Sequence, residues 1–260
     1  NYCDVCTMST NTETKINQLL QQLPAGTVLL SSWLTKNGYS RELQHRYLKS
    51  GWLTSIGSGA MKRTGDTVDL TGALYSLQVQ ANKKVHIGGR TALSMQGLSH
   101  YLELYQKETL LFAPGGVVLP AWFTQNQWNT NPVLVNSSML PPDIGLIDFE
   151  KNAYTVKISE PARAFMECLE LAPQGFDLQE AWHIMEGLST LLPENVTQLL
   201  IACNSVKVVR LFLFLAEKAG HSWYKYLSTA NVYVGKGKRS IFPGGVYIPK
   251  YQITVPAELA

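Results

Sequence analysis

Arg41, Gln44, His45, Arg46 and Lys49 fall in one short segment, and Lys62 and Arg63 follow just after a Gly-Ser-Gly turn. A guanidinium, a carboxamide and an imidazole offer hydrogen-bond donors and acceptors in fixed geometry, which is what reading base edges in a nucleic-acid groove requires. Neighbouring lysines and further arginines suit phosphates. Between residues 35 and 65, Lys36, Arg41, Arg46, Lys49, Lys62 and Arg63 stand against Glu42 alone, a local charge of +5 in a chain whose total is +3. Such a local excess is the electrostatic footprint of a phosphate-binding face. The alternative source of the same pattern is a solvated helix surface in a protein–protein module.

The elements that must present these residues can be read around them. Leu30, Trp33 and Leu34 form one apolar stripe, and Asn37-Gly38 supplies the left-handed turn that ends a first helix. Ser40 is placed to cap a second helix and Gly51 to end it. Leu43, Tyr47 and Leu48 then face inward, leaving Arg41, Gln44, His45, Arg46 and Lys49 outside. Trp52–Ile56, Gly57-Ser58-Gly59 and Ala60–Arg63 predict a short hairpin. Upstream, Ile16, Leu19, Leu20 and Leu23 recur at helical spacing and predict a supporting helix. This order describes a winged helix-turn-helix, whose second helix enters a DNA major groove. With Ser40 at its start, Arg41, Gln44 and His45 are expected near base edges, and Arg46, Lys49, Lys62 and Arg63 near phosphates.

Catalytic chemistry lacks its partners. Histidines 45, 86, 100, 183 and 221 are dispersed, and none belongs to a His-Glu-x-x-His pair. His100-x-x-Glu103 offers two ligands on one helical face without a third. Cys3-x-x-Cys6 is half a zinc site with no second pair at matching spacing, while Cys168 and Cys203 fall in helical patterns and read as core. Gly57-Ser58 with Asp66 and Asp69 matches part of a nucleotidyltransferase pattern, but aspartates three apart point to opposite faces of a strand. Pro142-Asp143 and Asp148-Phe149-Glu150-Lys151 are fragments of a nuclease motif at the wrong spacing. There is no P-loop and no dinucleotide fingerprint. The expectation is a protein that is not an enzyme and needs no metal or cofactor, with His86 beside Gly88-Gly89 in a structural role.

Further along, residues 70–79 predict a helix, Asn82-Lys83-Lys84 a break, Val85–Ile87 a short strand, and Arg90–Leu104 another helix. From about residue 109 come short β-rich runs at 110–112, 117–119, 133–135, 144–149 and 154–158, with a hairpin turn at Glu150-Lys151-Asn152. Helices return at Ser159, Asp177 with Glu180 resembles a capping box, and one long apolar helix is expected from Val196 to Ala219. The tail holds strands, loops and a second basic cluster at Lys236, Lys238 and Arg239. The fold class is therefore α+β: a disordered tail at 1–12, a winged helix-turn-helix domain at 13–95, and a larger mixed α+β domain at 96–260.

At 260 residues, 45% hydrophobic and 16% charged, the chain has ample material for buried cores. The apolar run Leu211–Ala216 is too short to span a bilayer. No signal peptide pattern is visible, Met8 fits a natural start, and a cytoplasmic location without membrane attachment is expected.

Several stretches, in this order, carry a family resemblance: Trp33-Leu34, Asn37-Gly38-Tyr39-Ser40, Tyr47-Leu48, Gly51-Trp52-Leu53, His86-Ile87-Gly88-Gly89-Arg90-Thr91-Ala92-Leu93, Leu98-Ser99-His100-Tyr101 and Glu160-Pro161-Ala162-Arg163-Ala164-Phe165. Over most of its length the chain resembles the AbiEi antitoxin family of type IV toxin–antitoxin systems, linked to bacterial abortive infection. The resemblance implies an N-terminal winged helix that binds operator double-stranded DNA and represses its own operon. It also implies a C-terminal domain that counters a nucleotidyltransferase toxin encoded next door. In that domain Lys236, Lys238 and Arg239 are the candidates for antitoxicity or nucleic-acid contact. The short wing is a departure from the pattern. A reading from another class is a non-catalytic protein- or RNA-binding module that uses the winged helix as a scaffold.

Overall fold

A computed structural model of the chain describes residues 15–98, 107–151 and 153–260. The expectations for residues 1–12, for Cys3 and Cys6, and for His100 and Glu103 lie outside the described residues. The architecture is α+β.

The first unit is built as the apolar spacing predicts. Helix α1 (Lys15–Gln22) lays Ile16 and Leu19 onto a small core completed by Leu23, Leu29, Leu34, Tyr39, Tyr47, Leu53 and Met61. Strand β1 (Leu29–Leu30) leads into α2 (Ser31–Lys36), then a turn with Gly38 at φ +85°, then α3 (Arg41–Lys49). A side chain at Gly38 would strain that left-handed backbone, so the turn selects glycine. Strands β2 (Leu53–Gly57) and β3 (Ala60–Arg63) form the hairpin, and β1 adds to it in the antiparallel order β1-β3-β2. Three helices and a three-stranded sheet with one short wing make a winged helix-turn-helix.

Residues beyond the wing tie this unit to the rest. Helix α4 (Leu70–Tyr75) runs into a π-helical turn, Ser76–Gln80, and then strand β4 (His86–Ile87) and helix α5 (Gly89–Met95). Strands β5 (Glu108–Ala113), β6 (Asn131–Asn136), β7 (Leu146–Lys151) and β8 (Tyr154–Ser159) join β4 in one sheet of order β6-β5-β4-β8-β7. The pairs β4·β8 and β5·β6 are parallel, and β4·β5 and β7·β8 antiparallel. A short helix α6 (Ala121–Thr124) precedes β6. Helices α7 (Pro161–Leu171), α8 (Leu178–Gly187), α9 (Pro193–Ala202) and α10 (Val206–Ala219) follow, and a two-stranded ribbon of β9 (Val246–Ile248) and β10 (Ile253–Val255) ends the order.

The central strand β4 and helix α5 lie before residue 96, and Val85, Ile87, Ala92 and Leu93 belong to the large core. Three expectations change. The helix from Arg90 stops at Met95, where Gly97 is left-handed and Leu98 N–H returns to the Leu93 carbonyl. Residues 117–119 are not a strand, because a turn at Pro114–Val117 precedes them and Val118 is 73% exposed. The single helix from 196 to 219 is two helices. Asn204 N–H is drawn to the Met139 carbonyl at 2.8 Å and Ser205 caps α10, so Cys203–Ser205 form a connection.

One buried carboxylate holds the sheet's middle. Glu167 on α7 accepts from Gly89 N–H at 2.9 Å, from the Ser159 hydroxyl at 2.7 Å and from Arg163 Nε at 2.9 Å. His86 Nε2 lies 2.9 Å from the same carboxylate and donates to it, since an ionised carboxylate only accepts. Burial pushes the Glu167 pKa up, but His86 and Arg163 outweigh burial and hold it below the ordinary glutamate range. The chain passes within reach only because residue 88 is glycine, where a Cβ would stand 2.2 Å from Glu167 Oε2. Glu167→Ala strands a buried guanidinium, so urea unfolding should show a loss of about 3–5 kcal/mol. Because its folded pKa is depressed, the stability Glu167 contributes is present above its unfolded pKa of about 4.3 and lost as pH falls through the folded value. Acid unfolding of the wild type should therefore begin below about pH 4.3, and Glu167→Ala should flatten that limb.

Candidate nucleic-acid interface

The second helix of the helix-turn-helix, α3, is set by one side chain. Gln44 is 4% exposed, and its carboxamide accepts from the Ser31 hydroxyl at 2.6 Å. Its Nε2 donates to the Tyr39 carbonyl at 2.7 Å, to Thr35 Oγ1 at 3.1 Å and to the Ser31 carbonyl at 3.3 Å. These bonds clip α3 to α2 and to the turn between them. Gln44, expected near base edges, thus spends its polar atoms inside the protein. Sequence periodicity placed it outside because a polar residue beside Arg41 and His45 extends their stripe.

Ser40 caps α3, accepting from Leu43 N–H at 3.3 Å, and so fixes where the helix begins. Arg41, His45, Arg46 and Lys49 are all exposed. They divide between two grooves. Arg41 and His45 line a groove of about 260 Å³ between α3 and the wing, floored by Leu48, Ala60 and Met61. Arg46 and Lys49 line a larger groove of about 600 Å³ on the other side, with Lys15 and the half-exposed Trp52. Lys15 and Trp52 were not among the expected site residues. An aromatic directly after the Gly51 helix stop is the signal that was available.

The wing cations behave differently from each other. Lys62 Nζ donates to the Asp66 carbonyl at 2.7 Å and makes no ion pair among the described residues. Arg63 folds under α1, where Nη2 donates to the carbonyls of Leu20 and Leu23. Those are carbonyls that a helix end leaves without intrahelical partners. Arg63, expected near phosphates, thus caps the end of α1 in this structure.

The aspartates near the wing are structural as well. Asp66 Oδ2 accepts from Gly26 N–H at 2.8 Å. Asp69 caps α4 through Gly72 N–H at 2.9 Å and pairs with Lys151. Burial raises the Asp69 pKa, but the bonds from Lys151 and Gly72 outweigh it and hold the carboxyl below the usual range. Among the described residues no three His, Cys, Asp or Glu side chains are grouped to hold a metal. Cys168 and Cys203 are buried and free.

At the far end of the chain, Lys236, Lys238 and Arg239 are exposed. The loop carrying them is anchored by Arg210, which is 2% exposed. Its guanidinium donates to the carbonyls of Val234 at 2.6 Å, Gly237 at 2.7 Å and Gln252 at 3.2 Å. Arg210 was not singled out in the sequence, where it reads as one flank of an apolar run.

Two family models match the chain. One, described as transcriptional regulator, AbiEi antitoxin N-terminal domain, matches residues 12–104. The other, described as transcriptional regulator, AbiEi antitoxin, type IV TA system, matches residues 106–256. They meet near residue 105, whereas β4 lies within the first span and is built into the sheet of the second. No curated protein has a significantly similar sequence. The crystal structure of the RV2827C protein from Mycobacterium tuberculosis is similar in fold, with a TM-score of 0.57 and 15% identity over 92% of this chain and 88% of that one. Among the described residues no helix is long and apolar enough to cross a membrane.

The two roles on α3 separate by mutation. Gln44→Ala should cost about 1–3 kcal/mol by thermal or urea melting, because it leaves buried partners unsatisfied. Exposed Arg41→Ala should stay within about 0.5 kcal/mol of wild type in the same measurement.

Proposed function

The chain belongs to the AbiEi antitoxin family of type IV toxin–antitoxin transcriptional regulators, and on that premise we propose that it represses its own operon by laying α3 in the major groove of the operator. The observation that carries this reading is one helix with a buried back and a cationic front. Tyr47 and Gln44 are held in the protein, while Arg41, His45, Arg46 and Lys49 are exposed and form no ion pair among the described residues. Unpaired cations on a rigid helix raise the local potential and suit phosphate contact. Arg41 and His45, in the first turns and beside the wing groove, are the base readers. Arg46, Lys49 and Lys62 take phosphates. The remainder of the chain, with the exposed Lys236, Lys238 and Arg239, counters a nucleotidyltransferase toxin in the bacterial cytoplasm without catalysing a reaction itself.

Gel-shift titration with promoter DNA tests the operator reading. Arg41→Ala should lose about 1–3 kcal/mol on the operator and relax sequence preference, while Lys49→Ala should weaken every duplex alike and reduce the salt slope. Equal affinity of the wild type for promoter and random duplexes at moderate salt would refute it.

Growth rescue tests the second half. Co-expressed with the adjacent toxin, a Lys236/Lys238/Arg239→Ala triple variant should fold with stability within about 0.5 kcal/mol of wild type. It should still repress the promoter and fail to restore growth. Full rescue would remove this loop from the antitoxic surface.

A further inference from the structure

The tail beyond α10 has a composition unlike the rest of the molecule. From Lys218 to Ala257 there is no carboxylate, against six cations. The same stretch holds large apolar side chains in the open: Tyr233 is 67% exposed, Tyr247 39% and Phe242 38%. Exposed aromatics at this density mark a binding surface rather than leftover core.

These residues sit on a fixed frame. Arg210 holds the backbone of residues 234–237 from below, as described above. Arg239 N–H donates to the Gln252 carbonyl at 2.8 Å, and Thr254 N–H returns to the Arg239 carbonyl at 3.1 Å, so the basic loop lies along β10. Phe242 N–H meets the Thr254 carbonyl at 3.2 Å, and Thr254 is the register partner of Tyr247 on β9. Lys238 Nζ lies 4.8 Å from the centre of the Tyr247 ring. A phosphate-seeking charge and a stacking ring thus occupy one spot.

We infer that Tyr233, Phe242 and Tyr247, with Lys236, Lys238 and Arg239, form a surface for an unpaired nucleic-acid strand. Successive bases stack on the exposed rings while the interleaved cations follow the backbone, a combination that suits single strands and tolerates any sequence. A duplex offers no unstacked base to these rings, so this surface differs in kind from α3. A protein partner fits less well, because protein interfaces deplete lysine and gather their aromatics in an uncharged centre. The inference deepens the reading of this loop as the antitoxic surface, and rests on it for its biological purpose. The binding itself is measured with no toxin present, so the two can fail separately.

Fluorescence anisotropy of the full chain with labelled oligo(U) and oligo(dT) tests it. Both strands should bind, and whichever binds more tightly identifies the natural class as RNA or DNA. Losing one stacked base, Tyr247→Ala should weaken the preferred strand about tenfold. Tyr247→Phe, which keeps the ring, should stay within about twofold. A Tyr233→Ala/Lys236→Ala variant, altered at two exposed positions off the ribbon, gives the same test if Tyr247→Ala does not fold. Promoter affinity should be unchanged in all of them. The inference falls if neither strand shows saturable binding at moderate salt. It falls equally if folded Tyr247→Ala and Tyr233→Ala/Lys236→Ala bind strands as the wild type does, or if the purified toxin occupies this surface and strands do not compete.

Discussion

Glu167 has no exposed surface to speak of, yet four groups from three directions converge on its carboxylate. Stranding any one of them would leave a buried charge or donor without a partner, which costs more than the bond contributes. The constraint therefore acts as a lock. Strand β4 is only two residues long, too short for its ladder bonds alone to fix it between β5 and β8. The carboxylate takes the Gly89 N–H just past its end and the His86 ring at its start. Arg163, one helical turn before Glu167, completes the lock by donating to the carbonyls of Pro141 and Ile144.

That lock reaches the winged helix through the residues leading into β4. Gln80 in the π-helical turn accepts from Leu30 N–H at 2.8 Å and donates to the Val28 carbonyl at 2.7 Å. Ser76 donates to the same carbonyl at 2.6 Å. The wing has its own tether, where Asn126 donates to the Ile56 carbonyl at 2.6 Å and Gly57 packs on Trp122. Helix α3 is thus aimed by the sheet from two sides. A winged helix held this way presents α3 in one orientation, and such preorganisation limits the entropy lost when a surface binds a partner.

Cations divide by burial into two sets with different work. Arg163, Arg210 and Arg63 spend their guanidinium donors on carboxylates or carbonyls of the protein itself. A planar fork with five donors can satisfy several backbone groups at once, which is why arginine rather than lysine fills these places. Arg41, Arg46, Lys49, Lys236, Lys238 and Arg239 are left in solvent. Their free energy of folding gains little from that placement, so their presence has to be explained by what they meet.

Local patterning determined much of this protein. The helix stops at Gly38 and Gly51, the Ser40 and Asp177 caps, the β7–β8 hairpin and the buried faces of α1 and α7 all follow from residues within one or two turns of each other, where propensity and spacing act. The exposed cations of α3 were legible for the same reason, as was the basic loop at 236–239. Long-range partners decided the rest. Gln44 and Arg63 carry the side chains of binding residues, and only the carbonyls brought beside them by α2 and α1 turn them inward. The break between α9 and α10 depends on Met139, sixty-odd residues upstream, offering a carbonyl to Asn204. The place of β4 in the centre of the sheet depends on Glu167, separated from His86 by 81 positions. A sequence records that a residue can donate or accept; which partner reaches it first is a property of the folded chain, because burial makes an unmet hydrogen bond costly only once the surrounding core has formed.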